Sequence, residues 1–276
     1  MRLPTRILLL ISMMLSPLVL QAAESVVTMA YRTTEKQPFI AKAPDNSGLF
    51  EDMYQEAARR AGLTLRIVRM PKVRVINALK EGEVDFYPQF TFSAKRSAYS
   101  FFAPNGLRVA YYAISTPEIE RLASVADFDG LTLLHGLGNP DYLTKLGFGA
   151  ARVTHLEVAE MDLQKAIHML QKRRADAYIY EAEPLAYALL QSGASDIRLH
   201  KELSDQVEWA TLGISRRSVL LALEPNPDFN PDAPISRSNQ AERLVPGSPM
   251  ARMVAALDSM KQDGTLAALS ERYLGR

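Results

Sequence analysis

The segment "EGEVDFYPQFTFSAKR" (81–96) begins as a buried strand and ends in hydrogen-bond donors. Val84 and Phe86 suit the interior of a sheet. Gln89, Thr91, Ser93 and Arg96 do not, because buried polar groups cost free energy unless they are partnered. A short connection after a parallel strand lies at the strand's carboxyl end, where open α/β sheets bind ligands. Ser93 is a natural N-cap for a short helix, and Thr91 and Arg96 can then converge on one point. A guanidinium fork matches a carboxylate bidentately, and a hydroxyl adds a further donor. The chemistry indicated is an anion seat for a ligand carboxylate. The same residues also allow a surface ion pair beside an ordinary capped turn.

Other chemistries fit poorly. With no cysteine in the chain there is no disulfide framework, thiol nucleophile or thiolate metal site. His135, His155, His168 and His200 are scattered, without metal-ligand spacing, so neither a metal nor a cofactor is expected. "GLG" (136–138) lacks the third glycine of a dinucleotide loop, and no Gly-x-Ser-x-Gly elbow occurs. "RR" (59–60) and "KRR" (172–174) read as solvated helix ends matched to the helix dipole.

The elements that position these residues follow from periodicity. "VVTMAYR" (26–32), "LTLRIVR" (63–69) and "EVDFYP" (83–88) read as strands. Between them, "FEDMYQEAARRAG" (50–62) and "PKVRVINALKEG" (71–82) read as helices that stop on glycine. The alternation recurs in "LTLLHG" (131–136), "ARVTHLE" (151–157), "MDLQKAIHMLQKRRA" (161–175) and "DAYIYE" (176–181). "NPDYLTKLG" (139–147) reads as a short helix capped by Asn139. The methionines of "SPMARMVAALDSMKQDG" (248–264) fall at core spacing. Residues 219–247, rich in Pro, Asn and Asp, read as an irregular surface insertion. Two α/β units of similar size predict two lobes with a cleft between them, a preferred place for a small ligand.

The 276 residues suffice for two domains, and 47% hydrophobic with 23% charged residues is an ordinary globular balance. "MRLPTRILLLISMMLSPLVLQAAES" carries Arg2 and Arg6, an apolar run from Ile7 to Leu20, and small residues at 22–23. That is the pattern of a secretory signal, placing the mature chain in a bacterial periplasm with no lipid anchor. Removing residues 1–23 shifts the formal charge from +1 to −1, leaving no electrostatic footprint for nucleic acid.

The order of motifs resembles the bacterial extracellular solute-binding proteins of family 3. "QPFI" (37–40) resembles that family's Pro-Phe turn, and "GLFEDMYQEAARRAGL" (48–63) its first helix. "INALKEGEVDFYPQFTFSAKR" (76–96) is similar to its Leu-x-x-Gly-x-x-Asp and Thr-x-x-Arg run. "FFAPN" (101–105), "ADFDGLTLLHGLGN" (126–139), "AIHMLQKRRADAYIYE" (166–181) and "LDSMKQDGTLAALSERYLG" (257–275) follow in the family's order. The resemblance implies a two-lobed type II periplasmic-binding-protein fold. Each lobe would hold a mostly parallel sheet flanked by helices, joined by extended hinge crossings near 108–115 and 207–213. Lobe 1 would comprise 24–110 plus 214–276, and lobe 2 would comprise 111–213.

The resemblance also implies roles. Arg96 falls on the carboxylate-binding arginine, and Thr91 on a hydroxyl beside it. Gly138 and Asn139 fall where backbone N–H groups at a helix start face the ligand. Glu181 falls on the acid that holds a ligand ammonium. Lys36-Gln37 replaces the stacking aromatic of the family, so that surface falls to Tyr31 or to a tyrosine of "AYY" (110–112). Arg74 either faces the cleft, which would favour an acidic ligand, or is a solvated helix residue. Trp209 is open between core packing and ligand contact. The implied function is capture of a small polar solute, an amino acid or related organic acid, for an ABC transporter permease by a monomeric, non-enzymatic protein. Two alternatives are an enzyme on the same scaffold, resembling a cyclohexadienyl dehydratase with Glu181 or a neighbour as general acid, and a sensor subunit serving a membrane receptor.

Overall fold

The computed structural model describes residues 25–203 and 208–274. The expected signal segment, residues 1–23, lies outside the described residues. The chain opens with β1 (Ser25–Tyr31), α1 (Leu49–Arg60), β2 (Leu63–Arg69), α2 (Lys72–Glu81), β3 (Phe86–Tyr87), α3 (Ala94–Ser97) and β4 (Ser100–Val109). It crosses at Ala110 into β5 (Tyr111–Ser115), α4 (Val125–Phe128), β6 (Thr132–Gly136), α5 (Tyr142–Lys145) and β7 (Thr154–Val158). There follow α6 (Leu163–Gln171), β8 (Ala177–Glu181), α7 (Ala182–Ser192) and β9 (Arg198–His200). The return path holds β10 (Glu208–Ser215), β11 (Leu223–Pro225), β12 (Glu242–Leu244), α8 (Pro249–Gln262) and α9 (Thr265–Leu274).

Two mixed five-stranded sheets result, ordered β2-β1-β3-β10-β4 and β7-β6-β8-β5-β9. In each, sequential strands joined through helices pair in parallel, and the strand arriving from or returning to the other lobe pairs antiparallel. The architecture is the two-lobed α/β fold expected, with one boundary displaced. β10 hydrogen-bonds to β3 and β4, with Glu208 opposite Val109, so the chain is back in lobe 1 from Glu208 onward and not from residue 214. The second crossing therefore precedes β10 instead of running through it.

Apolar spacing decides which face of each helix is buried. In α1, Leu49, Phe50, Met53, Tyr54, Ala57 and Ala58 turn inward, with Glu51 and Asp52 at the positive end of the helix and Arg59 and Arg60 at the negative end. α2 stops where Gly82 adopts φ 78°, a left-handed conformation that glycine takes without strain. The methionines of α8, Met250, Met253 and Met260, are fully buried, as their spacing predicts.

The acid of each lobe's Leu-x-x-Gly-type run has the same mechanical task. Asp85, just before β3, accepts the Thr28 N–H of β1 at 2.7 Å and the Ser218 hydroxyl at 2.5 Å. Asp176, just before β8, accepts the Thr132 N–H of β6 at 2.7 Å. Each carboxylate thus locks the incoming strand to the strand that carries the lobe's central loop.

Residues 219–247 are more ordered than their composition suggests. β11 and β12 form a two-stranded antiparallel sheet. The Gln240 amide bonds the backbone of Phe102 in both directions, at 3.1 and 2.8 Å. The insertion thereby covers the free edge of β4, which would otherwise present unpaired backbone groups.

Asp85→Ala removes two charge-assisted hydrogen bonds and should cost about 2–4 kcal/mol. Calorimetry should then show the melting midpoint of the mature protein lowered by about 5–15 °C. Asp258→Ala, at an exposed helix position, should leave the midpoint within about 1–2 °C of the original.

Candidate functional site

The site forms where the carboxyl ends of β1, β3 and β8 face one another across the two lobes. Its central space, about 320 Å³ with the open mouth included, is lined from lobe 1 by Tyr31, Arg32, Lys36, Lys72, Tyr87, Gln89, Phe90, Thr91 and Arg96. Lobe 2 contributes Asn139, Pro140, Tyr142, Tyr180 and Glu181. A second space of about 240 Å³ adjoins it through the shared residues Arg32, Lys72 and Asn139, and adds Thr34, Gly136 and the exposed Glu160.

Lys36 is the centre of this arrangement. A tight turn holds it, with Lys36 N–H donating to the Ile40 carbonyl at 2.9 Å and Ile40 N–H returning to the Lys36 carbonyl at 3.0 Å. Its Nζ donates to Glu181 Oε2 and, at 2.8 Å, to Gln89 Oε1. Gln89 Nε2 donates to the same Glu181 oxygen at 2.9 Å. The rings of Phe39, Phe50 and Tyr180 lie 5.0, 5.7 and 5.8 Å from Nζ, a cation–π surround. With Lys36 only 2% and Glu181 6% exposed, this is a buried ion pair between the lobes. Burial lowers the Lys36 pKa and Glu181 counteracts that shift.

Three further cations border the same space. Arg32 donates to the Tyr180 hydroxyl at 2.7 Å across the lobes. Lys72, the first residue of α2, lies 3.8 Å from the Tyr87 ring centroid. Its pKa falls well below the usual lysine value, through burial first and then the neighbouring charges of Arg96, Arg32 and Lys36. Arg96 stacks 4.2 Å from the Phe90 ring centroid and donates to the carbonyls of Thr91, at 2.8 Å, and Gly138, at 3.1 Å. Thr33 adds a bond to Glu160 at 2.9 Å, and Lys145 of α5 meets Glu208 of β10 at 2.6 Å. The Arg32–Tyr180, Arg96–Gly138, Thr33–Glu160 and Lys145–Glu208 contacts join one lobe to the other, so the structure is a closed one.

Several expected residues meet here. Arg96, Thr91, Tyr31, Asn139 and Glu181 line the central space, and Ser93 caps α3 by accepting the Arg96 N–H at 3.3 Å. Gly138 stands at the lobe interface, where its carbonyl accepts from Arg96 at 3.1 Å. With φ 82°, its missing side chain lets the backbone approach Lys72 and Ile76 of the opposite lobe. Asn139 is not a helix cap. α5 starts at Tyr142, capped by Asp141, whose Oδ1 accepts from Leu143 N–H at 3.0 Å and Thr144 N–H at 3.3 Å.

Arg74 is exposed and lines neither space. Two residues along a helix turn through about 200°, so the face that aims Lys72 into the cleft aims Arg74 at solvent. Trp209 also lies outside the central space. It is 38% exposed, with Arg108 at 4.9 Å and Lys261 at 4.1 Å from its ring. Arg32, Lys36 and Lys72 are additional members that the sequence signals only by position, Lys36 most clearly as a charge beside Pro38 and Phe39, and Gln89 joins them from the polar run after Phe86. Among the described residues, no group of three or more His, Asp or Glu side chains is placed to hold a metal ion, and no helix is long and apolar enough to cross a membrane.

The profile of the bacterial extracellular solute-binding proteins, family 3, matches residues 27–276. The chain belongs to this family. No curated protein sequence matches it. Among solved structures, this family 3 protein is similar to the substrate-binding protein of an amino acid ABC transporter, at 15% identity and TM-score 0.65, covering 91% of this chain and 100% of that one. It is also similar to the GluR0 ligand-binding core from Nostoc punctiforme in complex with L-glutamate, at 18% identity and TM-score 0.64, covering 91% and 100%. A third is the ancestral amino acid-binding protein AncCDT-1, a precursor of cyclohexadienyl dehydratase, at 16% identity and TM-score 0.64, covering 91% and 95%. At these identities the likeness establishes the fold.

Lys36→Met leaves the Glu181 carboxylate without its ammonium and should disfavour the closed arrangement by about 3–5 kcal/mol. Small-angle scattering of the unliganded protein should then report a larger radius of gyration. Combining Lys36→Met with Glu181→Gln should restore most of the compaction, because the double variant buries no unpaired charge.

Proposed function

We propose that this family 3 protein is an exported, non-catalytic capture protein. It closes its lobes on a small polar solute and hands that solute to an ABC transporter permease in the inner membrane. The observation that supports this reading is the convergence of cationic and aromatic side chains from both lobes on one closed cleft. Arg96 is the main anchor for a solute carboxylate. Its guanidinium sits 4.2 Å from the Phe90 ring centroid, and it now contacts two backbone carbonyls that a bound carboxylate can replace as partner. Tyr31 and Asn139 complete the walls, and the Thr91 carbonyl orients the arginine.

Closure is the signal the partner reads. A solute touching both lobes favours the closed form by its differential affinity for it, and the crossing at Ala110 is short enough to act as a hinge. Catalysis is disfavoured by the state of Glu181, the side chain an enzyme on this scaffold would use as general acid. Its Oε2 already holds Lys36 and Gln89 and joins the lobes.

A thermal-shift and calorimetric panel of amino acids, carboxylates and small amines tests the reading. A true ligand at about a hundred times its Kd stabilises the fold by about 2.7 kcal/mol, and it should be recovered unchanged after denaturation. Arg96→Ala should weaken a carboxylate ligand by about 10–100-fold. Recovery of a converted product, or a panel in which nothing binds, would reject capture.

A pH dependence should accompany binding. Lys72 faces Arg32, Lys36, Arg96 and Glu181, and its depressed pKa means that the amine loses its charge early as pH rises. A bound carboxylate restores that charge. Affinity should therefore fall as pH climbs through the depressed value, and Lys72→Met should flatten this profile.

A further inference from the structure

We propose that the captured solute is a small organic dianion without an ammonium group, a dicarboxylate, with Lys36 serving as the internal partner of Glu181 in place of any ligand amine. This rests on the capture reading above and names its ligand class. Charge carries the first part. Four cationic side chains, Arg32, Lys36, Lys72 and Arg96, border the central space against the single carboxylate of Glu181, a formal surplus of three. Deprotonation of Lys72 still leaves a surplus of two. A zwitterion brings no net charge to a cleft that repels its ammonium, and the one acid that might hold that ammonium is already paired.

Unpartnered donors carry the second part. The buried Nε of Arg32 and the hydroxyl of Thr34 have no hydrogen-bond partner. Both residues are at least nine-tenths buried, at 5% and 9% exposure, and both line the adjoining space. Buried donors of this kind cost free energy until something accepts from them. They mark a second anion seat beside Lys72, which borders both spaces. Arg96 serves one carboxylate, Arg32 and Thr34 serve the other, and Lys72 stands between them. The carboxylate of Glu160 lies at the exposed rim, where it accepts from Thr33, and not within the central space. Tyr31, Tyr87 and Tyr142 wall the space with rings, which suits a short carbon chain better than an inorganic ion.

Titration calorimetry of the mature protein with matched pairs decides the matter. Glutarate and L-glutamate differ only by the ammonium, as do succinate and L-aspartate. The dicarboxylate of at least one pair should bind about tenfold or more tighter than its amino counterpart. Lys36→Met frees Glu181 and should shrink that ratio about tenfold. Thr34→Val, which removes the hydroxyl at constant volume, should weaken the dicarboxylate several-fold. If an amino acid binds the unaltered protein as tightly as its matched diacid or tighter, the dianion assignment falls and capture stands. If no diacid binds but another solute of the wider panel does, the dianion assignment falls and capture stands; if nothing in that panel binds, both fall. Should Lys36→Met fail to fold, the matched pairs in the unaltered protein are decisive alone.

Discussion

The buried pair between Lys36 and Glu181 is the constraint on which the closed arrangement depends. Each partner comes from a different lobe, so the pair forms only when the lobes meet. Desolvating two charges is expensive, and the interior repays it only with good geometry and further hydrogen bonds. Here Gln89 bonds both partners and three aromatic rings surround the ammonium. Those additions convert a marginal ion pair into a latch with one geometry, and they explain why a lysine occupies a turn otherwise made of Pro38 and Phe39.

The rest of the fold serves to bring that turn and the end of β8 together. Asp85 and Asp176 fix the central strands of their lobes, so the loops leaving those strands carry side chains of known direction. β10 returns into the first sheet before the site is complete, which sets Glu208 beside Val109 and lets Lys145 tie α5 to the hinge region. The insertion shields β4 and sends Arg237 to the Trp209 carbonyl, at the edge of an interlobe space that Thr91 and Glu181 also line. The site is therefore made of strand ends on two rigid bodies, a geometry that moves as two pieces and not as many.

Much of this was legible in the residues. The alternation of strands and glycine-stopped helices gave two α/β units, and the polar run after Phe86 marked the cleft through Arg96 and Thr91. The misses have physical causes. Arg74 and Lys72 share one helix start, and periodicity alone does not say which face meets the other lobe. Asn139 and Asp141 are both competent caps, and the choice between them depends on where the backbone turns after Gly138. The order within residues 219–247 comes from Gln240 meeting the backbone of a strand more than a hundred positions away, which no local pattern contains. Lys36 was visible as a departure from the family's aromatic, but its partner is 145 residues distant and only packing joins them.

That pairing also changes how selectivity arises. A cleft with a free acid and an arginine accepts a zwitterion because each end finds its opposite. Supplying the ammonium from the chain itself neutralises one end permanently and leaves Arg32, Lys72 and Arg96, all on lobe 1, to be covered together when lobe 2 closes over them. Burying them strips the water that screens their mutual repulsion, and Lys72 shows burial first and that repulsion second, so closure is opposed unless counter-charge enters between them. An anion then does two things at once: it gains donors and it removes the repulsion. Its differential affinity for the closed form exceeds what its own hydrogen bonds supply. A neutral or zwitterionic solute of the same size gains only the contacts. Selectivity in this cleft thus comes from the energy of closing as much as from the shape of the space that is closed.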